Sequence, residues 1–434
     1  MSEKSVNFLE LIKNKQYSKI LLIQSKMPEE KITSGLLNLS GICRMMLSRS
    51  DESLKLAIDD FRNSFLKETN KIKSIDPFKN LVTASVIYFD NQFTKNEVQL
   101  GKKFFEEIIS TFNENKDLFE KNLGLMRAIF GVFKRTSDVG NIILCLKKII
   151  KLKSDADVIA SYNYYNNYLN DWSQSDYFEN AKILDDKLTI YPSKELVALK
   201  QSKNKKIRLA FISSDIRSKH SISYFLKSAI ANCSNDKFQI YMYHNHIMED
   251  DTTKEFENYF FKSTRISKLN DQEAINTIRK DEIDIIIDLN GFSSNHRLVL
   301  FKNRLAPIQI SWCGYLNTMG IKEMDYIIVD KNLISPHEEN LYSEKIIYLP
   351  NIWNCHSGYD FERLENEMPF KKNNFITFGS FNNFLKINDS VIEVWASILK
   401  RVKNSKLVLK TSNSISLEKY KKKFEDYDVA SSVY

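Results

Sequence analysis

The stretch from Asp284 to Asp330 constrains the fold of this chain more than any other part of the sequence. It opens with the apolar, β-branched run Asp284–Leu289, which is typical of a strand buried on both faces. A short helical segment over His296–Asn303 follows, and further strands are predicted at Ile308–Trp312 and Tyr326–Val329. Strand, helix and strand in this order indicate a parallel α/β sheet, in which ligands bind at the carboxyl ends of the strands. We therefore expect the active cleft at the loops that leave those ends.

Composition narrows the class of protein without identifying it. The 434 residues are enough for two or three domains, and 43% hydrophobic with 27% charged residues describe an ordinary globular protein. No apolar run is long enough to cross a bilayer, and the polar start is unlike a signal peptide. Five scattered cysteines without a CxxC pair favour a reducing, cytoplasmic setting. The formal charge of +8 is spread along the chain, so we expect neither a membrane nor a nucleic-acid partner.

The first half of the chain carries a repeat. Leu37, Leu81 and Leu125 recur at intervals of 44 residues, and Leu169 continues the series. Three more columns have the same spacing, two of small residues and one of large apolar residues: Ser40, Ala84 and Ala128; Ala57, Gly101 and Cys145; Phe61, Phe105 and Ile149. The pattern resembles tetratricopeptide repeats, although its period exceeds their usual length of about 34 residues. We predict a helical array over residues 1–190 that binds proteins or peptides, with a plain bundle as the weaker alternative.

The second half is predicted to be an α/β region. Additional strands are expected at Ile207–Ser213, Phe238–Tyr243 and Lys345–Leu349, and helices at Ser221–Ala231, Lys254–Phe261 and Ala274–Lys280. Alternating strands and helices over residues 205–366 indicate a doubly wound sheet. A second strand–helix unit is predicted from Phe375–Gly379, Asp389–Lys400, Lys406–Leu409 and Ser416–Phe424. Residues 367–434 are too few for a complete doubly wound domain, so we expect an incomplete lobe there.

Several side chains that suit chemistry lie near predicted strand ends. Asp215 and His220 flank the turn after the first strand of the α/β region. A histidine there can act as a general base or hold a hydroxyl or phosphate, although a lone histidine more often caps its own helix. The loop Cys313–Gly320 suits a polar ligand and equally suits a plain connection. Lys386 precedes a helix capped by Asn388, which suits a phosphate, although most single lysines are solvated surface residues.

Other familiar site patterns are missing from the sequence. It contains neither GxxxxGK[ST] nor GxGxxG, so nucleotide-binding loops of those two kinds have no support. Asp155 and Asp157 match an Asp-x-Asp metal pair by letters only, and they fall within the predicted array. His244 and His246 have no nearby partners in the sequence. We therefore predict no metal site.

Five sequence blocks together resemble the catalytic region of the O-linked N-acetylglucosamine transferases and their bacterial and SPINDLY-like relatives. In chain order they are SSDIRSKHSISYFL, DIIIDLNGFSSNHRL, RLAPIQISWCGYLNTMGIKEMDYIIVD, YSEKIIYLP and FGSFNNFLKIN…VWASILKRVKNSKLVLK, from about Ile207 to Lys410. The resemblance implies helical repeats joined to a GT-B glycosyltransferase with two Rossmann-like lobes. The expected fold class is therefore α plus α/β, with repeats over 1–190, an N-terminal lobe over 205–366 and an incomplete C-terminal lobe over 367–434.

The same resemblance implies a function and a set of residues. The implied reaction moves a sugar from a UDP-sugar donor to Ser or Thr hydroxyls of a protein bound along the repeats, without a metal or other cofactor. His220 matches the histidine at the reacting region, and Lys386 matches the lysine that stabilises the leaving diphosphate. The implied substrate-binding residues are Asp215, Gly291, Gln309, Gly314, Thr318 and Asn383. Two alternatives stay open: a non-catalytic repeat scaffold with a degenerate transferase domain, and a related enzyme that uses fucose or glucose.

The sequence departs from the family pattern in four places. One extra residue separates Asp215 from His220, Phe292 stands where His or Tyr is common, and Leu316-Asn317 replaces Pro-Gly. The chain also ends before the family's Gly-His-Thr-Thr segment, which supplies much of the donor site.

From the last departure we expect weak donor binding and weak or no transferase activity if these 434 residues are the whole product. Calorimetric titration of the chain with UDP-sugars measures this directly. An affinity typical of an intact donor site would show that the expected defect does not exist.

Overall fold

A computed structural model describes residues 7–95, 99–192, 206–234, 236–358, 367–410 and 414–434 of the protein. Its internal packing divides the chain into two compact units, Met1–Lys153 with Glu365–Tyr434, and Ser154–Leu364. The domain limits predicted at residues 205 and 366 lie outside the described residues.

Helices form the amino-terminal part of the first unit. They are α1 (Phe8–Lys13), α2 (Tyr17–Ser25), α3 (Ser34–Leu47), α4 (Asp51–Lys67), α5 (Ile75–Thr94), α6 (Gln99–Glu114), α7 (Lys116–Phe119), α8 (Leu123–Arg135) and α9 (Val139–Leu152). Side chains cap several of them: Thr33, Ser50, Asn122 and Asp138 each accept a hydrogen bond from a backbone N–H in the first turn of the following helix. The starts of α3, α4, α8 and α9 are therefore specified by their own sequence.

The 44-residue spacing coincides with successive helical pairs. Leu37, Leu81 and Leu125 are buried on α3, α5 and α8, which also carry the small residues Ser40, Ala84 and Ala128. The other small column and the large column lie on α4, α6 and α9. A Cβ atom on Gly101 would lie 2.9 Å from Cδ2 of Phe89, so the small residue permits close approach of α5 and α6. The predicted fourth member, Leu169, lies in a bend beyond the end of a helix, so the series stops after three pairs.

Two ion pairs join residues that are 45 positions apart in the sequence, which is nearly the repeat length. Arg62 on α4 forms a bidentate pair with Glu107 on α6, at 2.6 Å and 2.8 Å. Arg135 on α8 forms a second bidentate pair with Asp90 on α5, at 2.7 Å and 2.5 Å. The planar guanidinium fits both carboxylate oxygens, so each pair links neighbouring repeats in one fixed geometry.

The second unit contains two helices and then a parallel sheet with its own helices. The helices are α10 (Ala156–Asn166), α11 (Gln174–Asp185), α12 (Ser221–Ala231), α13 (Asp251–Glu257), α14 (Asp271–Lys280) and α15 (Leu298–Lys302). The strands are β1 (Ile207–Ser213), β2 (Phe238–His244), β3 (Lys262–Arg265), β4 (Ile285–Asp288), β5 (Ile308–Trp312), β6 (Tyr326–Val329) and β7 (Lys345–Tyr348). They pair in the order β3-β2-β1-β4-β5-β6-β7, and every pair is parallel.

The strand predictions are confirmed for this sheet with one omission. The bounds of β1, β5 and β6 agree with those predicted from the apolar runs. The short strand β3 was not predicted, because its sequence Lys-Ser-Thr-Arg has no apolar run and it pairs only with β2 at the edge of the sheet. The predicted fold class, a helical amino-terminal region followed by a doubly wound α/β sheet, is confirmed.

Helices α10 and α11 belong to the unit that contains the sheet, whereas the sequence placed them in the array over residues 1–190. Asp185, at the end of α11, is 1% exposed, and its Oδ1 accepts a hydrogen bond of 2.7 Å from Nζ of Lys302 on α15. Glu323 lies on the other side of the same ammonium group, at 3.1 Å. This buried ion pair fastens α11 to the sheet's own helices, so packing places the boundary near residue 154.

The carboxyl-terminal part of the first unit repeats the strand–helix order. It contains α16 (Pro369–Asn373), β8 (Ile376–Ser380), α17 (Asp389–Arg401), β9 (Ser405–Leu409) and α18 (Ser414–Glu425). Strands β8 and β9 form a two-stranded parallel sheet, and Ile392, Leu399 and Phe424 are among the residues of its buried core. Among all described helices, none is both long and apolar enough to span a lipid bilayer.

Replacing Asp185 with Ala should destabilise the second unit by about 3 kcal/mol. The substitution leaves the buried Lys302 ammonium group with only one of its two carboxylate partners. The matched control is Glu179→Ala on the same helix, which removes an exposed pair with Lys182 and should cost less than about 0.5 kcal/mol. Urea unfolding followed by tryptophan fluorescence measures both, since Trp312 and Trp353 lie in this unit. Equal effects of the two substitutions would contradict the structural role given to Asp185.

Candidate functional site

The strand order reverses direction between β1 and β4. Strands β2 and β3 lie on one side of β1, and β4 to β7 extend on the other side. Ile212 of β1 lies beside Asp288 of β4, so the loops that follow these two strands leave from adjacent points on the same edge. In doubly wound sheets such a reversal opens a crevice at the carboxyl ends of the strands, where ligands bind. Asp215 and His220 lie in the loop after β1, which is where the sequence predicted a site.

The side chain of Asn290 joins the two loops. Its Oδ1 accepts the backbone N–H of Ser214 at 2.8 Å, and its Nδ2 donates to Ser214 Oγ at 2.7 Å and to Asp215 Oδ2 at 2.9 Å. A further hydrogen bond of 3.1 Å reaches Ser293 Oγ. Asn290 is 4% exposed, so nearly all of its hydrogen-bonding capacity is satisfied within the protein. These bonds hold the Asp215 carboxylate in place.

His220 is the N-cap of α12 and faces Asp215. Its Nδ1 accepts the backbone N–H of Ile222 at 3.4 Å, and its Nε2 lies 3.5 Å from Oδ1 of Asp215. Because Nδ1 accepts a hydrogen bond, the neutral ring carries its proton on Nε2. Burial lowers the pKa of His220 below its ordinary value of 6.5; Asp215 opposes the shift and Arg217 adds to it. The ring is therefore neutral at pH 7 and arranged to donate a hydrogen bond to an oxygen atom.

Asp288 is a buried carboxylate beneath the same loop. It is 4% exposed, and it accepts the backbone N–H groups of Gly291 at 2.7 Å and Asn290 at 3.2 Å. Burial raises the pKa of Asp288 to about 6, and the charge of nearby Asp215 adds to the shift. Sequence reasoning treated Asp288 and Asn290 only as the end of a strand and a turn. The signal that could have identified them is the run of polar residues directly after a buried strand.

Gly291 and Gly314 permit the loops after β4 and β5 to touch. Gly291 has φ +55°, and a Cβ atom there would lie 2.1 Å from Cβ of Tyr315. A Cβ atom on Gly314 would lie 1.8 Å from the carbonyl oxygen of Leu289. In the structure both glycines have a packing role, and their predicted contact with substrate stays a prediction. The ring of Phe292, one of the departures from the family pattern, packs 4.7 Å from the Tyr315 ring.

Gln309 and Thr318 are also scaffold residues in this structure. Gln309 is fully buried, where its Oε1 accepts the Leu305 N–H and its Nε2 donates to two backbone carbonyls. Thr318 is 1% exposed and donates to Glu344 Oε2 at 2.8 Å. Glu344 is itself buried, which raises its pKa, and it also accepts the Met319 N–H at 2.7 Å. The side chains of Gln309 and Thr318 therefore hold the loops in place, and their predicted contact with substrate stays a prediction.

Lys386 and Asn383 lie in the other unit, in a short turn between β8 and α17. Asn383 accepts the backbone N–H of Leu385 at 3.0 Å, and Asn388 caps α17 as predicted. Lys386 is exposed, and within the described part of the chain its ammonium group has no hydrogen bond or ion pair. An unpaired cation just before a helix start is well suited to a phosphate. Its position relative to His220 stays a prediction, because the two residues belong to different units.

The other residues that were considered as metal ligands in the sequence have different roles or environments in the structure. Asp155 caps α10 by accepting the Val158 N–H at 3.1 Å. His244 is 2% exposed at the end of β2, and burial lowers its pKa to about 4. Across the described ranges no group of three or more His, Cys, Asp or Glu side chains is gathered as a metal site would require.

The buried Asp288 carboxyl should make stability depend on pH in a defined direction. Its pKa is about 6 in the folded chain against an ordinary 3.8, so between these values the folded state binds more protons and stability falls as pH rises. Asp288→Asn removes this loss, so the stability of the variant relative to wild type should rise by about 2–3 kcal/mol between pH 4 and 7. Denaturant unfolding at several pH values measures it, with exposed Asp186→Asn as the control. A difference that does not change with pH would contradict the assignment.

The site lies in a segment with known relatives. Residues 178–368 match Glycosyl transferase family 41. Over 208 residues the chain is 33% identical to an Arabidopsis thaliana protein described as a probable UDP-N-acetylglucosamine–peptide N-acetylglucosaminyltransferase SPINDLY, covering 47% of this chain and 23% of that protein. Another Arabidopsis thaliana protein, with the same description but called SEC, is 26% identical over 219 residues, which is 47% of this chain and 22% of that protein. The match thus spans less than a quarter of each of these curated relatives.

A solved structure supports the fold over a longer range. An O-GlcNAc transferase mutant from Thermobaculum terrenum superposes with a TM-score of 0.71, covering 92% of this chain and 74% of that one at 19% identity. At this identity the likeness concerns the fold alone. The sequence match over residues 178–368 confirms the resemblance to the O-linked N-acetylglucosamine transferases, and the solved structure agrees with it in fold.

Proposed function

We propose that this chain acts as a protein O-glycosyltransferase that moves a sugar, of the N-acetylglucosamine type, from a UDP-sugar to Ser or Thr hydroxyls. The observation that carries the proposal is the Asp215–His220 pair at the reversal point of a sheet whose sequence is of family 41. The relatives' descriptions name the donor and a peptide acceptor. The match covers only 23% of the first relative, so the activity described for that whole protein is a proposal for this chain.

In the proposed reaction the acceptor hydroxyl oxygen bonds to C1 of the sugar, and the bond from C1 to the diphosphate oxygen breaks. The hydroxyl proton leaves to a base, and UDP departs with the electron pair. His220 donates its Nε2–H to a substrate oxygen and so orients it, because its tautomer is set by the N–H of Ile222. Lys386 supplies positive charge to the departing diphosphate, which takes the part that a divalent cation plays in metal-dependent transferases. Asn383 holds the turn that presents Lys386.

We also propose that the helical pairs of the first unit form a tetratricopeptide-like surface that binds the polypeptide acceptor. The regular spacing of Leu37, Leu81 and Leu125 on successive helices supports it, since repeats of this kind bind extended chains. We place the protein in the cytoplasm. All five cysteines are free thiols, which suits a reducing compartment.

Incubation of the purified chain with radiolabelled UDP-N-acetylglucosamine and cell extract tests the proposed reaction. Label on Ser or Thr at any rate above background would support the reaction, and we expect that rate to fall roughly 100-fold or more in Lys386→Ala, because a charge that stabilises the leaving group is lost. His220→Ala should reduce it on a similar scale. The matched control is Lys400→Ala, an exposed lysine on α17, which should stay within about twofold of wild type.

Each outcome distinguishes between the hypotheses. Transfer that is insensitive to Lys386→Ala would contradict the role of that lysine. Transfer from UDP-glucose or GDP-fucose alone would identify a different sugar specificity. Binding of peptides without transfer from any donor would favour the non-catalytic scaffold.

A further inference from the structure

A cavity of about 580 Å³ with a mixed polar and apolar lining lies at the same edge of the sheet, beside the His220 cluster. We call it the β2 edge cavity. Its walls are the loops that follow β2, β3 and β4. The residues that line it include Asn245, His246, Ile247, Met248, His296 and Arg297. The volume falls in the range of roughly 300–1,000 Å³ that is typical of ligand sites. Neither the sequence patterns nor the family match assigned these residues a role.

The walls of the cavity are fixed by hydrogen bonds between loops. Asn245 donates to the carbonyl oxygen of Asn295 at 2.8 Å, and Arg297 donates to Asn245 Oδ1 at 3.2 Å. Ser267 donates to the carbonyl oxygen of His246 at 3.3 Å. The three loops therefore hold one another, and the cavity exists without a ligand to order it.

The charges around the cavity are already balanced. The Arg297 guanidinium pairs with Asp271 at 2.9 Å and 2.6 Å, and the Arg265 guanidinium pairs with Glu249. A phosphate would need a cation that is not already paired with a carboxylate. The cavity consequently suits an uncharged polar ligand better than a nucleotide diphosphate.

The groups that stay available form a mixed polar and apolar surface. Nδ1 of His246 lies 3.0 Å from the carbonyl oxygen of Met248, so the proton of the neutral ring lies on Nδ1 and Nε2 is left as an acceptor. Ile247 and Met248 line the cavity and are 69% and 72% exposed. An acceptor nitrogen beside amide side chains and two adjacent exposed apolar residues matches a polypeptide, whose backbone offers N–H groups and whose side chains supply apolar contacts.

The cavity shares its loops with the His220 cluster. Ser214 Oγ donates to the carbonyl oxygen of Ser294, at 3.3 Å, and the Ser218 N–H donates to Asp250 at 2.6 Å. The Asn245 N–H also donates to the carbonyl oxygen of Ser213 at 2.8 Å. Strands β1 and β2 are neighbours, about 4.8 Å apart, and an extended chain advances about 3.3 Å per residue. A peptide in the cavity therefore reaches the His220 region within a few residues.

We infer that the β2 edge cavity is an acceptor subsite, which binds the polypeptide segment beside the modified Ser or Thr and prefers an apolar residue against Ile247 and Met248. This inference rests on the proposed function, because it places the acceptor hydroxyl near His220.

Synthetic peptides of about a dozen residues, each with one central Ser, serve as the probe. A single Leu is moved through a polar background, and binding to the full chain is measured by fluorescence anisotropy. We expect Leu at one or two positions near the Ser to tighten binding roughly tenfold. Met248→Asp and Ile247→Asp should abolish that preference, whereas Ile190→Asp, a substitution of a 72% exposed isoleucine that follows α11 in the second unit, should leave it intact. Circular dichroism confirms that the variants are folded.

The outcomes separate the subsite from the proposed function. A preference that survives in Met248→Asp, or no peptide binding at all, would overturn the subsite. A preference lost in Met248→Asp while no UDP-sugar supports transfer would keep the cavity as a peptide-binding site and refute both the transferase and the acceptor role of the cavity. Transfer to peptides with the same kcat/KM in wild type and Met248→Asp would keep the transferase and refute the subsite. Loss of UDP-sugar binding in Met248→Asp would assign the cavity to the donor and overturn the inference.

Discussion

The buried amide of Asn290 is the interaction on which the site depends. Two parallel strands, β1 and β4, end side by side, and their last backbone groups have lost their ladder partners at a point that water barely reaches. One amide side chain supplies an acceptor to the Ser214 N–H and donors to Ser214, Asp215 and Ser293. A carboxylate in this position would lack the donors, and an aliphatic residue would leave the Ser214 N–H without its partner and would remove the contacts to Ser214 Oγ, Asp215 and Ser293. The position of Asp215, and through it the surroundings of His220, follows from this choice.

The sequence predicts the bounds of strands better than it predicts the hydrogen-bond partners of the polar residues in and after them. Strands β1, β5 and β6 are mostly apolar, because both faces of a parallel sheet are covered, and their bounds could be read directly. The edge strand β3 has no apolar run and could not be read. Gln309 shows a second limit: the family resemblance implies a substrate contact for it, but no pattern in the sequence predicts that its side chain satisfies backbone groups of Leu305, Phe301 and Glu323. Hydrogen-bond partners far along the chain leave no periodic trace in the sequence.

The packing of α10 and α11 explains one departure from the family pattern, the one at Asn317. Asn317, which stands in place of a glycine, accepts a hydrogen bond of 2.6 Å from Gln174 at the start of α11 and donates to Asn167 after α10 at 3.4 Å. Asn167 in turn donates to the Tyr315 hydroxyl at 3.5 Å. The loop after β5 is thus shaped on one side by the helices that join this unit and on the other by Gly291. A substitution that looks damaging within the motif instead forms contacts outside it.

Two carboxylates close together would normally repel, and the fold resolves this by giving them different surroundings. Asp215 faces the imidazole of His220 and the guanidinium of Arg217, whereas Asp288 is enclosed and accepts two backbone N–H groups. Burying Asp288 costs stability near neutral pH, since its pKa is raised to about 6. The buried carboxylate in turn holds the N–H groups of Asn290 and Gly291 rigidly, and so fixes the turn that carries the Asn290 side chain. Groups held in advance in this way need little rearrangement when charge develops in a reaction, which is the condition under which fixed dipoles are most effective.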